Sequence, residues 1–368
     1  MQTAGRKHTI LKVTAEIDLI IVNATLYNYI CLYLRNIMKY SVIIPVYNRP
    51  DEVKELLESI VGQRRTTDDI EVIVVEDGSS IPCEDITKQY TTKLNIKYYT
   101  KPNSGPGPTR NYAADRANGD YLIILDSDTV LPPDFFSAID KELATKDSDA
   151  FGGPDRAHKD FSPIQKAINY GMTSFFTTGG IRGGKKKMDK FYPRSFNMGV
   201  KRTAYQALGG FGEMRFGEDI DLSIRIFKNN YDCRLFPDAW VWHKRRTNFR
   251  KFFKQVHNSG IARIHLEKRH PGSMKLVHML PAFFTIGVTA LLIGEIWCKW
   301  SILPLIAYAL LIMLDASIKE HSLKVGALAV IASYVQLLGY GTGFLRAFWK
   351  RMILRKGEFS AYNKTFYK

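Results

Sequence analysis

The chain has 368 residues, of which 45% are hydrophobic and 24% charged, so it can form one large α/β domain or two smaller units. Its formal charge of +16 would allow nucleic-acid binding, but no helix-turn-helix, zinc-finger or RNP signature is present, and much of the basic excess lies beside apolar stretches, which favours anionic lipid headgroups. The four cysteines lie far apart, which supports neither a disulfide framework nor a structural zinc and suits a reducing cytoplasm.

Residues 1–39 precede the first clear strand and form a segment of their own. An apolar stretch at residues 17–34 contains Asp18, Asn23 and Asn28, and no small-residue cleavage site follows it, which argues against a signal peptide. Two interpretations are open. The segment is a weak N-terminal anchor, or the natural start is Met38 and the upstream part is an extension; the second is favoured.

Short apolar runs alternate with helical segments from residue 40 to about residue 125. The predicted strands are Tyr40–Val46, Ile70–Val75, Ile96–Tyr99 and Tyr121–Leu125. Because these strands lack polar alternation and are separated by helices, they predict a parallel sheet that is covered on both faces. Ligands bind at the carboxyl ends of such strands, so the residues that follow each strand are candidates for a site.

The last third of the chain is richer in long apolar stretches. Residues 247–273 are basic, with aromatic residues at helical spacing, and predict a helix that lies in a membrane interface or packs on the soluble domain. Residues 274–349 contain three apolar segments, each approaching the roughly 20 residues that span a membrane: Leu276–Gly294, Ile302–Ile318 and Val325–Phe348. Residues 350–368 form a basic tail.

The number of membrane-spanning helices is two or three. A short turn separates the first two apolar segments, which predicts a hairpin. If the α/β domain is inside and all three segments span, the basic tail ends outside, against the positive-inside rule. The third segment is therefore re-entrant or interfacial, or an exception to that rule.

The fourth predicted strand leads directly into Asp126-Ser127-Asp128. Two carboxylates one residue apart at a strand end can hold a hard divalent cation, although the same pattern also occurs in simple turns. The second strand ends at Asp77, which together with Tyr47 after the first strand could bind a nucleobase. A glycine-rich turn then opens a helix with Arg110 in its first turn, where the backbone and the guanidinium can approach a phosphate or sugar.

A run of acids at Glu218, Asp219 and Asp221 begins a further predicted helix. Acids in a first turn are favoured by the helix dipole, which is the usual reason for such a run. A carboxylate held there can also act as a general base if it lies within hydrogen-bond reach of an acceptor hydroxyl.

The order of these motifs resembles that of family 2 glycosyltransferases of the GT-A fold, in the membrane-attached bacterial type. The segments that carry the resemblance are SVIIPVYN, VVEDGSS, GPGPTRN, LDSDT, NMGVKRTAYQALGGFGE and GEDIDL. The resemblance covers roughly residues 40–245. It implies a Rossmann-like α/β domain over residues 40–246, with a mainly parallel sheet and helices on both faces, followed by membrane helices.

The resemblance also assigns the donor side of the site. It implies nucleotide-sugar contacts and ligands for Mn²⁺ or Mg²⁺. The donor-binding positions are Pro45, Tyr47, Asp77, Arg110 and Asp126. The metal positions are Asp128, Asp126 and His243, with Asp128 the more direct ligand and His243 a residue that only some members use.

On the acceptor side, Asp219 corresponds to the catalytic base that activates the acceptor hydroxyl for in-line attack with inversion at the sugar carbon. Glu218 and Gly199 are assigned to the acceptor site. The expected enzyme is a hexosyltransferase-type protein that moves a sugar from a nucleotide diphosphate sugar to a lipid-linked or cell-surface glycan acceptor. It is expected in the cytoplasmic membrane, with its catalytic domain facing the cytoplasm and in contact with membrane lipids.

Two alternatives stay open. A processive polysaccharide synthase would share these motifs, but the Q-x-x-R-W motif is absent and the comparable stretch, Gln255–Arg263, reads QVHNSGIAR. A non-catalytic binding or scaffold protein on the same fold is the second alternative. A scaffold has no use for four carboxylates that repel one another unless a cation is present, so the set Asp77, Asp126, Asp128 and Asp219 disfavours it.

Overall fold

A computed structural model describes residues 38–156, 160–179 and 191–357 of the chain. The interpretations of residues 1–37 as an anchor or extension, and of residues 358–368 as part of a basic tail, lie outside the described residues. All structural statements below concern the described part.

The strands begin close to the predicted positions. They are β1 Tyr40–Val46, β2 Ile70–Asp77, β3 Asn95–Lys101, β4 Tyr121–Ile124, β5 Thr129–Val130, β6 Ala150–Gly152, β7 Asp155–Arg156, β8 Met198–Lys201, β9 Cys233–Leu235 and β10 Val241–His243. The α-helices are α1 Pro50–Val61, α2 Glu84–Lys88, α3 Pro106–Ala114, α4 Phe135–Thr145, α5 Pro163–Thr173, α6 Phe175–Thr178, α7 Arg202–Ala207, α8 Glu218–Lys228, α9 Phe249–Arg269, α10 Leu280–Gly294, α11 Leu303–Glu320 and α12 Leu323–Phe348.

A seven-stranded sheet forms the centre of the α/β domain, in the order β3-β2-β1-β4-β8-β6-β9. β1 pairs in parallel with both β2 and β4, and β2 pairs in parallel with β3. β8 runs antiparallel to its two neighbours, β4 and β6. The prediction of a mainly parallel sheet is confirmed, and the carboxyl ends of β1, β2, β3 and β4 meet at one edge.

Helices cover both faces of this sheet. On one face, Ile43 packs in a core that includes Ala113 of α3 and Leu222 of α8. On the other face, Tyr40 stacks against Phe136 of α4, with ring centroids 5.8 Å apart. Successive residues of a strand point to opposite faces, so a strand with apolar residues at every position is buried on both sides. This explains why the unbroken apolar runs of the sequence became central strands.

A second, three-stranded sheet in the order β5-β10-β7 lies beside the carboxyl edge. β10 pairs antiparallel with β5, which places His243 opposite Thr129, directly after Asp128. The backbone N–H of Lys244 also donates to the carbonyl oxygen of Asp128, at 3.1 Å. This small sheet therefore brings a histidine from the end of the α/β domain to the acidic motif.

The helix α12 lies at the centre of the C-terminal helices. It packs against α5, α9 and α11 in one apolar cluster that includes Ile168, Phe252, Ile312 and Ala329. Small residues allow helices to approach one another closely. A Cβ on Gly343 would lie 2.0 Å from the carbonyl oxygen of His257, so α9 and α12 are in backbone contact.

Two helices are long and apolar enough to cross a membrane, at Lys299–Glu320 and Leu323–Ile353. The first of the three predicted segments, Leu276–Gly294, forms only the 15-residue helix α10, because a short 3-10 turn occupies Leu276–His278. That segment is shorter than the roughly 20 residues of a simple span. The basic segment, α9, packs on α12 with one face while Arg250 and Lys251 on its other face are exposed.

We expect Gly260→Ala to destabilise the helical region. The new methyl group would lie 2.1 Å from the carbonyl oxygen of Tyr340, and a backbone atom cannot rotate away, so α9 and α12 must separate. Overpacking of this kind costs about 1–3 kcal/mol. Thermal unfolding of the purified protein in detergent measures the loss.

Gly287→Ala is the matched control for Gly260→Ala. Gly287 lies in α10, and a Cβ there would meet nothing within 4 Å. Alanine is the better helix former by about 1 kcal/mol, so this variant should be unchanged or slightly more stable. Equal losses of stability in the two variants would show that the close approach of α9 to α12 does not limit stability.

Candidate active site

The loops after β1 and β2 are tied together at the carboxyl edge of the sheet. The Asn48 side chain accepts from the backbone N–H groups of Ser80 and Ile81, at 2.7 and 2.9 Å. Tyr47 directly precedes Asn48. Pro45 is paired with Val75 near the carboxyl ends of β1 and β2. Pro45 and Tyr47 are both half-buried at this edge, where the sequence placed the nucleobase.

Asp77 is buried at the end of β2, and both of its carboxylate oxygens accept hydrogen bonds. Lys101 Nζ and the backbone N–H of Ser104 donate to Oδ1, and the backbone N–H of Gly105 donates to Oδ2, each at 2.8 Å. Lys101 ends β3, and the two backbone donors belong to the loop that leads from it into α3. Asp77 therefore holds the loop that positions α3, a role that the sequence did not indicate.

Arg110 of α3 lies between two carboxylates from distant parts of the chain. Its Nη2 donates to Asp126 Oδ1 at 2.6 Å, and its Nη1 donates to Glu218 Oε1 at 3.0 Å. Its guanidinium also lies over the ring of Phe211, and its side chain is only 3% exposed. A single buried guanidinium thus joins the Asp-x-Asp motif to the acidic start of α8.

Asp126, Asp128 and His243 form a group that could hold a metal ion. One ligand atom from each lies within 4.8 Å of the others. His243 Nε2 is 3.3 Å from Asp128 Oδ1, and that buried oxygen accepts no hydrogen bond within the described residues. An oxygen and nitrogen donor set with an unsatisfied carboxylate oxygen suits a divalent cation, so these residues fit the group that the resemblance implies.

The electrostatics of this group favour charged side chains. Burial disfavours the carboxylate of Asp128, but His243 and Arg49 outweigh it and hold the pKa of Asp128 well below its usual range. Burial also acts to lower the pKa of His243, but Asp128 outweighs it and raises that pKa to about 9. Asp128 is therefore ionised at neutral pH, as a metal ligand must be, whereas His243 is protonated and would have to release its proton to bind a metal ion.

The helix α8 presents Glu218 and Asp219 in its first turn. Gly217 begins this helix with φ of +80°, a conformation that favours glycine, and a Cβ there would lie 3.3 Å from the side chain of Leu266 in α9. Asp219 Oδ2 accepts from Arg194 Nη1 at 3.4 Å, and Asp219 Oδ1 accepts from the backbone N–H of Ile220 at 2.8 Å. The carboxylate of Asp219 is thus oriented while remaining 15% exposed.

We expect Glu218 to make the protein less stable as the pH rises from 4.5 to about 7. Burial raises the pKa of Glu218 to about 7. The positive charge of Arg110 opposes this shift, and the negative charge of Asp219 adds to it. In the unfolded chain Glu218 ionises near pH 4.5, before it does in the folded protein. The stability that this residue contributes below pH 4.5 is therefore lost as the pH rises towards its pKa in the folded protein. Thermal unfolding of the parent and Glu218→Gln between pH 4.5 and 8 measures the effect.

In that series, the difference in stability between parent and Glu218→Gln should shift in favour of the variant by at most about 1.4 kcal/mol for each pH unit within the window. A difference that does not change with pH would contradict a raised pKa. Glu213→Gln, which removes an exposed carboxylate in the loop before α8, is the control for the loss of one negative charge.

The structure places two further sequence candidates in packed positions. A Cβ on Gly199 would lie 2.1 Å from the ring of Phe151, so the glycine is required by packing within the sheet. Its assignment to the acceptor site stays a prediction. Asp221 is buried, forms an ion pair with Arg225 and a hydrogen bond with His270, each at 2.8 Å, and holds α8 against the end of α9.

Sequence reasoning missed residues that support the site. Arg49 Nη1 donates to Asp128 Oδ2 at 2.9 Å. Arg245 is paired with Asp155 at 2.6 Å, and Asp155 lies 3.8 Å from His243 Nδ1. A basic residue directly after β1 was a usable signal for Arg49. Nothing in the spacing of the chain pointed to Asp155 or Arg245.

The chain is similar to known glycosyltransferases. The protein-family model for glycosyl transferase family 2 matches residues 41–209. A probable glycosyltransferase, YdaM of Bacillus subtilis (strain 168), is 26% identical over 234 residues, which cover 60% of this chain and 54% of that protein. The poly(ribitol-phosphate) beta-N-acetylglucosaminyltransferase TarS of Staphylococcus aureus (strain Mu50) is 38% identical over 135 residues, 36% of this chain and 22% of that protein.

The chain thus spans about half the length of the first relative and under a quarter of the second. Among solved structures, the mannosyltransferase PcManGT from Pyrobaculum calidifontis, in complex with GDP-Man and Mn²⁺, superimposes with a TM-score of 0.58 at 17% identity and covers 85% of this chain and 87% of its own. At that identity the likeness shows the fold, which is the GT-A fold with C-terminal helices that are candidate membrane spans. Residues 41–209 accordingly match a glycosyl transferase family 2 domain.

Proposed function

We propose that this protein is an inverting, metal-dependent glycosyltransferase that moves a sugar from a nucleotide diphosphate sugar to a lipid-linked or cell-surface glycan acceptor. The observation that carries the proposal is the Arg110 guanidinium held between Asp126 and Glu218. It joins the donor motif to the helix that carries Asp219. Both halves of a transfer reaction are therefore available in one site.

The donor side is built at the carboxyl ends of the parallel strands. Tyr47 can stack on a nucleobase, and the fixed carboxylate of Asp77 can orient it through hydrogen bonds. Bound by Asp126, Asp128 and His243, a divalent cation such as Mn²⁺ or Mg²⁺ supplies charge neutralisation for the departing diphosphate. Asp126 and Asp128 would serve as its oxygen ligands, held in place at the end of β4.

The acceptor side uses Asp219 as the general base. Asp219 takes the proton from the acceptor hydroxyl, the acceptor oxygen forms a bond to the anomeric carbon of the sugar, and the bond from that carbon to the diphosphate oxygen breaks. The electron pair leaves with the diphosphate. Attack from the face opposite the leaving group inverts the configuration at the sugar carbon. Arg194 and the backbone of Ile220 hold the Asp219 carboxylate for this step.

We place the protein on the cytoplasmic membrane, with its catalytic domain facing the cytoplasm, where nucleotide sugars are made. Large apolar side chains on α10 and α11 are exposed, among them Phe283, Leu292, Ile306 and Leu314. A continuous exposed apolar surface of this kind suits contact with lipid. Confinement to the membrane would raise the effective concentration of a lipid-linked acceptor.

The test is a panel of UDP- and GDP-sugars incubated with the purified full chain in detergent, with Mn²⁺, Mg²⁺ or EDTA. Donors of both nucleotides belong in the panel because a neighbour holds GDP-Man and a relative is named for transfer of N-acetylglucosamine. Release of nucleotide from one donor, abolished by EDTA, is the expected result. Turnover that persists in EDTA would contradict the metal dependence.

Two other outcomes distinguish the alternatives. A product that carries many added sugars would identify a processive synthase. Failure of the parent protein to bind or hydrolyse any donor would favour a scaffold on the same fold. Product analysis by mass spectrometry, with the acceptor supplied as a lipid extract, separates one addition from many.

A further inference from the structure

Arg49 contacts the acidic motif from the loop after β1. It directly precedes α1, and its Nη1 lies 2.9 Å from Asp128 Oδ2 and 3.1 Å from Glu52 Oε2. Its side chain is 34% exposed, in contrast to the buried Arg110. Arg49 is therefore a cation on the open side of the site, in contact with a carboxylate that also faces His243.

The contacts of Arg49 leave part of its guanidinium available. Both ion pairs use Nη1, so Nη2 and Nε keep their N–H groups for another acceptor. By contrast, Arg110 commits Nη1 and Nη2 to Glu218 and Asp126. A planar guanidinium with free donors is the side chain best suited to bind phosphate oxygens in a bidentate manner.

Charge also argues that Arg49 changes partner during binding. A divalent cation on the other oxygen of Asp128 would lie close to the Arg49 guanidinium, and like charges at that distance repel. A diphosphate brings negative charge to the same place. Glu52 remains as a second partner and keeps the Arg49 side chain at the rim of the site.

We propose that Arg49 is a further donor-binding residue: it neutralises Asp128 before the donor arrives and then donates to the diphosphate oxygens of the nucleotide sugar. This inference rests on the proposed function, because it requires both the metal group and the donor. It makes two predictions of opposite sign for one substitution. Loss of Arg49 should strengthen binding of the metal alone and weaken binding of the nucleotide.

Isothermal titration calorimetry on the full chain in detergent tests the inference. Mn²⁺ is titrated alone, and UDP and GDP are then titrated in saturating Mn²⁺, into the parent and Arg49→Met, which keeps the length of the side chain but removes its charge. We expect Arg49→Met to bind Mn²⁺ about threefold to tenfold more tightly, because a competing positive charge is gone. We expect it to bind the nucleotide about tenfold or more weakly, because charge-assisted hydrogen bonds are lost.

Arg64→Met is the matched control, since Arg64 forms an exposed ion pair with Asp134 on the surface. It should bind Mn²⁺ and nucleotide as the parent does. If Arg49→Met does not fold, Arg49→Gln, which can still donate to Asp128, must give the same split. If the affinities for Mn²⁺ and for nucleotide change in the same direction in the Arg49 variant, or if neither changes, the proposed role of Arg49 is wrong. A parent protein that binds neither Mn²⁺ nor nucleotide would instead overturn the proposed function, and this inference with it.

Discussion

Replacing Asp219 with asparagine is expected to reduce sugar transfer by about 10²- to 10⁴-fold, the usual contribution of a general base. Asparagine has the same shape and still accepts the hydrogen bond from the backbone of Ile220, but its amide cannot take a proton at neutral pH. The loss should therefore fall on kcat. Steady-state kinetics with the donor identified by the panel measures it.

Donor binding in Asp219→Asn should stay close to that of the parent. The residues that form the metal group and the proposed nucleobase site lie outside α8, the helix that holds Asp219. Arg110 also keeps its contacts with Asp126 and Glu218. Glu213→Gln, which removes an exposed carboxylate in the preceding loop, is the control and should keep parental turnover. Full turnover in Asp219→Asn would remove this residue from the chemistry. Weakened nucleotide binding would instead place it on the donor side.

The architecture was predictable because it follows from the apolar pattern of the strands and from the position of the motifs after them. Mainly apolar runs such as Ile70–Val75, in which only Glu71 is polar, are buried on both faces, which favours a parallel sheet between helices. The ends of those strands then fix where Asp77, Asp126 and Asp128 lie, since parallel strands share a carboxyl edge. The edge of the sheet and its acidic residues followed from these two rules alone.

The contacts that join the site were not predictable from one sequence. The pairing of Arg110 with Glu218 spans 108 positions, and no local pattern encodes it. His243 reaches Asp128 only because the short strand β10 pairs with β5. The length of α10 also escaped prediction, because hydropathy does not reveal the turn at Leu276–His278. Long-range pairing and local turns thus decide what periodicity leaves open.

Replacing Asp128 with alanine is expected to remove Mn²⁺ binding and to lower transfer by about 10³-fold or more, since a metal supplies several kcal/mol of charge stabilisation to such a reaction. The variant loses the oxygen that faces His243 and the oxygen that Arg49 binds. It also removes the negative charge that faces Arg49, so a further cation is disfavoured by charge as well as by the missing ligand. Calorimetric titration with Mn²⁺ and kinetics under the panel conditions measure the two losses.

The comparison that makes Asp128→Ala informative is with Asp134→Ala, which removes an exposed carboxylate that pairs only with the surface residue Arg64. Both variants lower the negative charge by one, so a general effect of charge on Mn²⁺ affinity would appear in both. Loss confined to Asp128→Ala identifies a ligand. If Asp128→Ala binds Mn²⁺ as tightly as Asp134→Ala does, Asp126 and His243 do not form a site with Asp128, and the chemistry at this edge of the sheet must proceed without a cation held there.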